Sequence, residues 1–313
     1  MPHRAVSSAT RFCLGILLGA FCASAAQAQK FDETPRVAVI SAFEAEWQAH
    51  QRAMGDDARP HTDNGVTFVT GVIEGRDVVL FLSGVGMVNA AMTTQLAIDR
   101  FNVSAIVFSG IAGGVDPALG IGDIVVAEEW GSYLHMVLAR EGADGYTLPP
   151  FFPRPFPNYG MIFPHPLTVR REGAVTAEEK FWFAADAGLL ADARRAGEGL
   201  TLERCDAAGA CLGAAPEVIV GGRGVSGSAF VDNAGFRRYV FETFDASLLD
   251  MESAAVAQVA YANAVPFIAI RSLSDLAGGG AAQNELPVFF ALAAENAARM
   301  VHRVLAAGGS ARE

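Results

Sequence analysis

Residues 105–114 read Ala105-Ile106-Val107-Phe108-Ser109-Gly110-Ile111-Ala112-Gly113-Gly114. An apolar run breaks here into a glycine-rich turn. A run with no polar alternation suits a strand covered on both faces, as in a parallel sheet. The pattern recurs along the chain. Arg36-Val37-Ala38-Val39-Ile40-Ser41 reads as a buried strand that leads into a helix over 42–54. Residues 66–73 and 77–82, joined by Glu74-Gly75-Arg76, predict a hairpin. Ser83-Gly84-Val85-Gly86 then opens a helix over 87–101. Further strands are expected at 124–128, 217–221, 248–251 and 266–270, and helices at 184–196, 233–244, 252–263 and 287–307. Strands alternating with helices predict an α/β fold: three αβα layers around a central mixed, mostly parallel sheet. No repeat or linker divides it.

The first 28 residues stand apart. Arg4 and Arg11 form a basic leader, residues 12–23 are apolar, and Ala26-Gln27-Ala28 offers a small-residue cleavage site. This predicts a signal peptide over 1–28, one domain over 29–313, and a periplasmic or secreted location. A retained signal anchor is the alternative. A lipoprotein is excluded because Phe21, not a small residue, precedes Cys22. No later segment is apolar for the roughly 18 residues a membrane helix needs.

The chain has 313 residues, 51% of them hydrophobic, which is ample for a sizeable core. Its formal net charge of −11 argues against nucleic acid or an anionic membrane as partner, since both need a positive face. A small molecule is the expected partner. Loss of residues 1–28 removes Cys13 and Cys22 and leaves Cys205 and Cys211, close enough for a small disulfide loop or else two free thiols. Zinc is disfavoured there, because no His or second Cys pair lies nearby.

Residues 132–175 form a Pro/Phe-rich insert. Pro149, Pro150, Pro153, Pro155, Pro157, Pro164 and Pro166 interleave with Phe151, Phe152, Phe156 and Phe163. Such proline density is expected to forbid regular structure. The insert is then either a lid whose aromatics line a binding mouth or a loop packed on itself.

Ligands of open α/β sheets bind beyond the carboxyl ends of the strands. Glu44 and Glu46 follow the first strand, Glu252 follows Leu249-Asp250-Met251, and Asp275 ends Arg271-Ser272-Leu273-Ser274-Asp275. Any one acid could simply cap a helix. Their joint appearance among glycine turns points to a site.

Six stretches, in order, resemble those of one family. Ile40-Ser41-Ala42-Phe43-Glu44-Ala45-Glu46 resembles I-G-A-M-E-E-E, and Ser83-Gly84-Val85-Gly86-Met87-Val88-Asn89 resembles S-G-I-G-K-V-N. Ser109-Gly110-Ile111-Ala112-Gly113-Gly114 with Gly122-Asp123-Ile124-Val125-Val126 is similar to T-G-x-A-G-G and G-D-I-V-V. Val225-Ser226-Gly227-Ser228-Ala229-Phe230-Val231 resembles V-S-G-D-A-F-I; Asp250-Met251-Glu252-Ser253-Ala254-Ala255 resembles E-M-E-x-A-A; and Arg271 to Asp275 resembles R-x-I-S-D. The family is that of the methylthioadenosine/S-adenosylhomocysteine nucleosidases, within the nucleoside phosphorylase superfamily.

The resemblance implies cleavage of the N-glycosidic bond of a purine nucleoside, without metal or organic cofactor, by what is typically a homodimer. It assigns Asp275 as the acid at N7 of the base and Glu46 as the carboxylate that activates water. It makes Glu252, with Met251, the clamp on the ribose hydroxyls. Phe230 and Val231 become the base pocket, Ser274 and Arg271 the support of the acid, and Ile111 and Gly113 further substrate contacts. Those roles make chemical sense, because the sugar becomes cationic while the base gains negative charge. Phosphorylase relatives carry Arg after the first strand and R-x-G-S after the fourth. Here Glu44, Glu46 and Phe108-Ser109-Gly110-Ile111 stand there instead, which favours water over phosphate as nucleophile. A phosphorylase and a non-catalytic periplasmic nucleoside binder are the competing readings. Departures from the family are Ser228 in place of Asp, a glycine-rich segment over 276–284, and the longer insert.

Overall fold

The computed structural model describes residues 30–56, 58–280 and 283–309. The predicted signal peptide lies outside the described residues.

Among the described residues twelve strands form the main sheet. They are β1 (Pro35–Ser41), β2 (Arg59–Asp63), β3 (Val66–Ile73), β4 (Arg76–Leu82), β5 (Asn102–Gly114), β6 (Ile124–Val126), β7 (Glu129–Ser132), β8 (Trp182–Ala184), β9 (Val218–Val220), β10 (Arg223–Ser226), β11 (Ala246–Asp250) and β12 (Phe267–Asp275). Among the described residues six helices accompany them: α1 (Glu44–Ala53), α2 (Met87–Arg100), α3 (Ala187–Gly197), α4 (Ala234–Phe244), α5 (Ser253–Ala262) and α6 (Leu286–Gly309).

The sheet is mixed, with a parallel centre. β1 pairs in parallel with β4 and β5, and β5 with β12; the predicted β3–β4 hairpin forms. At its far end β5 also pairs with β11, antiparallel, through Gly113 and Gly114. Side chains alternate across the pleat, so each central strand feeds two cores. Val37, Val39 and Val107 pack toward α3 and α6; Ala38, Ile40 and Phe108 pack toward α2 and α5. Two-sided burial is why these strands read as unbroken apolar runs.

The structure corrects several boundaries. Glu46 sits in the first turn of α1, which starts at Glu44 because Phe43 is extended at its N-cap. Asp186 caps α3 by accepting from the Leu189 N–H at 2.9 Å. β2, β7 and β10 were not expected, being short and rich in polar residues or glycine, and neither was β8, an apolar run of only three residues. The insert is not devoid of regular structure. It holds short antiparallel pairs, Met136–Leu138 with Ile162–Pro164 and Arg140–Gly142 with Gly145–Thr147, and Leu167–Val169 pairs with Glu178–Lys180. Pro164 is tolerated because its pair has open edges. The insert packs on its own neighbours: Phe156 lies 4.5 Å from Phe181 and 5.1 Å from Phe244, ring centre to ring centre. Cys205 and Cys211 are disulfide-bonded.

His50 on α1 is fully buried, 3.1 Å from His302 on α6. Burial, with the nearby His302 and Arg52, pushes the His50 imidazole down to about 3. The unfolded chain therefore binds a proton that the folded one refuses, and this group's contribution is lost as pH falls below about 6.5. Relative to His50→Gln, the wild-type unfolding free energy is expected to lose about 2 kcal/mol between pH 6.5 and 5, measured by urea denaturation.

Candidate active site

Four elements converge at one end of the sheet. β1 hands the chain to α1 and Glu46; β11 ends at Asp250 and passes Glu252 to the start of α5; β12 carries Arg271, Ser274 and Asp275; and β5 lays residues 110–113 beside β12. They enclose a cavity lined by Phe43, Ile111, Ala112, Gly113, Ala229, Phe230, Val231, Leu249, Asp250, Met251, Glu252, Ser274, Asp275 and Leu286. No described residue of the 132–175 insert is among them; its Phe156 and Tyr159 pack instead against Phe244, Phe236 and Tyr239 of α4.

Asp275 is buried at one side of the cavity. Its Oδ1 accepts from the Ala277 N–H at 2.8 Å, and its Oδ2 lies 3.0 Å from the Ser274 hydroxyl, which donates to it. Burial raises its carboxyl above the usual range, with those hydrogen bonds opposing. A carboxyl so placed can hold a proton and give it up.

Glu252 occupies the N-cap position of α5 without capping it. Its Oε1 instead accepts from the Gly86 N–H at 2.8 Å. Gly86 aims that N–H from φ +92°, a conformation a side chain would strain. Burial, then the neighbouring Asp250, pushes Glu252 up to about 7, against the pull of Arg271.

Glu46 is not on the cavity wall but directly behind it. Its Oε2 accepts from Ala42 and Phe43 N–H at 2.8 and 3.0 Å, and its Oε1 from Ile111 N–H at 3.0 Å. Burial raises this carboxyl, while Arg271 and the three N–H groups oppose the rise.

Arg271 lies fully buried among these acids. Its Nη2 is 2.9 Å from Asp250 Oδ2 and 3.9 Å from Glu252 Oε2. Its Nε and Nη2 donate to Ser253 Oγ at 3.0 and 2.8 Å, and its guanidinium carbon stands 4.0 Å over the Phe108 ring. Gly110 makes room for it: a β-carbon there would meet Arg271 Nη1 at 2.0 Å and Glu46 Oε1 at 2.8 Å.

The expected site residues thus gather in one place. Met251, Val231, Ile111 and Gly113 line the cavity with Glu252, Ser274 and Asp275; Phe230, 57% exposed, stands at its edge; Glu46 and Arg271 lie beneath. Ser228 accepts from the Met87 N–H at 3.3 Å, tying the Phe230 segment to α2. Sequence reading missed Asp250, Phe43 and Leu286 as participants. Asp250 was visible next to Met251 and Glu252; Phe43 and Leu286 carry no chemistry that would single them out.

Residues 36–306 match the family model of the phosphorylase superfamily. The chain belongs to that superfamily. Among phosphorylase superfamily members, it is 31% identical over 255 residues to the 5'-methylthioadenosine/S-adenosylhomocysteine nucleosidase of Marinomonas sp., covering 81% of this chain and 91% of the relative. Its fold matches the Neisseria meningitidis 5'-methylthioadenosine/S-adenosylhomocysteine nucleosidase in complex with methylthio-immucillin-A, with TM-score 0.64, 28% identity, and 87% and 99% of the two chains covered. The Colwellia psychrerythraea nucleosidase in complex with adenine matches at TM-score 0.64 and 27% identity, covering 88% and 96%. The superfamily resemblance read from the motifs and the αβα fold read from the alternation of strands and helices are both borne out.

The Gly110 approach gives a direct test. Gly110→Ala is expected to lower the unfolding free energy by about 1–3 kcal/mol, through displacement of Arg271 or of β5, as measured by chemical denaturation.

Proposed function

We propose that this chain hydrolyses the N-glycosidic bond of adenosine-type nucleosides bearing a 5'-thio substituent, as the names of its relatives describe for them. One observation carries the reading: two carboxyls with upward-shifted pKa, Asp275 and Glu252, face a single cavity that has a third, Glu46, directly behind it.

Asp275 gives its proton to N7 of the base as the C1'–N9 bond breaks, so the base leaves neutral. Glu252 accepts hydrogen bonds from the ribose hydroxyls and holds the sugar. Glu46 takes a proton from the water that adds to C1', and its charge favours the cationic sugar. Phe230, Val231 and Met251 supply apolar surface to base and sugar, with Ile111 and Gly113 along the β5 side. Phosphate is a poor nucleophile for this cavity. No lysine or arginine is among its described lining residues, and Arg271 is committed to Asp250 and Ser253. The acids equally disfavour a mere binder, which has no use for a proton donor.

Two further proposals concern setting. Residues 1–28 direct export and are removed, a reading supported by the Cys205–Cys211 bond, which suits an oxidising compartment. The protein works as a homodimer, supported by the exposed apolar face of Val85, Val88 and Met92 on and before α2.

Purified protein incubated with methylthioadenosine or S-adenosylhomocysteine is expected to release adenine in phosphate-free buffer, followed by chromatography. Strict dependence on phosphate with a sugar 1-phosphate product would make it a phosphorylase, and stoichiometric binding without release a binder. Asp275→Asn is expected to cut turnover by about 100- to 10,000-fold with nucleoside binding retained. Val88→Glu is expected to shift the protein from dimer to monomer in analytical ultracentrifugation; a wild-type monomer would remove the dimer proposal.

A further inference from the structure

Asp250 has no part in the reaction just described, yet it is buried and heavily used. Its Oδ1 accepts from the Ser226 hydroxyl, from Glu252 N–H at 3.2 Å and from Ser253 N–H at 3.1 Å. Its Oδ2 stands 2.9 Å from Arg271 Nη2, off-line for a hydrogen bond, so the contact is a charge pair. The same Nη2 lies 3.9 Å from Glu252 Oε2. One guanidinium nitrogen therefore faces two carboxylates and stands nearer to Asp250, the one with no role in the reaction above.

We propose that Asp250 is a positioning residue that keeps the Arg271 guanidinium off Glu252, leaving Glu252 Oε2 free to accept a sugar hydroxyl. The inference rests on the hydrolase reading above. Asp250 is suited to the task because three donors from β10 and the start of α5 fix it in place. Ser253 holds Nε and Nη2 and Phe108 supports the face of the guanidinium, so a small pivot about the Ser253 hydroxyl would bring Nη2 from 3.9 Å toward Glu252 Oε2.

The charged groups that face Glu252 are Asp250 from β11, Arg271 from β12 and Glu46 from α1; Gly86 adds an N–H from the loop before α2. Asp250 pushes the Glu252 carboxyl up and Arg271 pulls it down. Neutralising Asp250 removes the push and lets Arg271 close in, so both changes act downward. Glu252 accepts a hydroxyl as the carboxylate, hence kcat/KM falls as pH drops through its pKa.

In Asp250→Asn the acid limb of the kcat/KM profile should move about one pH unit lower. KM should rise about tenfold, with kcat changed less, because Arg271 now competes for Oε2. Asp250→Glu should restore the limb. A uniform loss of activity at every pH, with the limb unmoved, would show a merely structural role and overturn the proposal. If Asp250→Asn does not fold, Ser226→Ala loosens the same carboxylate without changing charge and is expected to raise KM in the same sense; an unchanged KM overturns the proposal. Carbon-13 NMR titration of labelled glutamate, with Glu252→Gln for assignment, needs no turnover. There Asp250→Asn must lower the Glu252 midpoint, and an unmoved midpoint is fatal. A wild type that releases no base at any pH sinks the hydrolase reading alone, and the titration still judges Asp250.

Discussion

The ion pair between Arg271 and Asp250, buried at 2.9 Å and backed by the Phe108 ring, is the contact on which the other acids depend. Three carboxylates, Glu46, Asp250 and Glu252, surround one cation. Taking either member of such a buried pair away leaves an uncompensated charge, at a cost of about 3–5 kcal/mol. The cation–ring contact adds about 2 kcal/mol where water is excluded. Without that centre the remaining acids would take up protons or draw water inward, and the shape of the cavity would follow.

Backbone amides supply what side chains do not. Glu46 is satisfied by N–H groups of residues 42, 43 and 111, and Glu252 by that of residue 86, while Asp275 leans on residue 277. Fixed dipoles of this kind cost little entropy to hold in place, unlike long cationic side chains. They leave the cavity wall free of mobile positive charge. The arrangement keeps the Arg271 guanidinium below the wall, apart from Glu252 and Asp275 on the wall, whose carboxyls burial pushes up.

Much of this was legible in the amino-acid order. The central strands were readable because burial on both faces leaves nothing but apolar residues, as in Val37 to Ile40. The acids were readable because each follows such a strand. Edge strands such as Arg59–Asp63 were not, because one exposed side lets polar residues in and erases the pattern. The insert misled for a related reason: proline forbids an internal ladder position but not a short pair with free edges, and Ile162–Pro164 is one. Asp250 was missed as a partner of Arg271 because that pairing spans two strands, and no local spacing records which residues a sheet will place side by side.

The long fifth strand has a consequence for how the chain assembles. Asn102–Gly114 is bracketed by segments from the start of the domain and from Ala246–Asp250 and Phe267–Asp275 near its end. Contacts so distant along the chain must wait for loop closure over many residues. The middle of the sheet therefore cannot lock until the last third of the polypeptide has been made. Until then the apolar central strands of the nascent chain stay exposed, without the partners that will cover them.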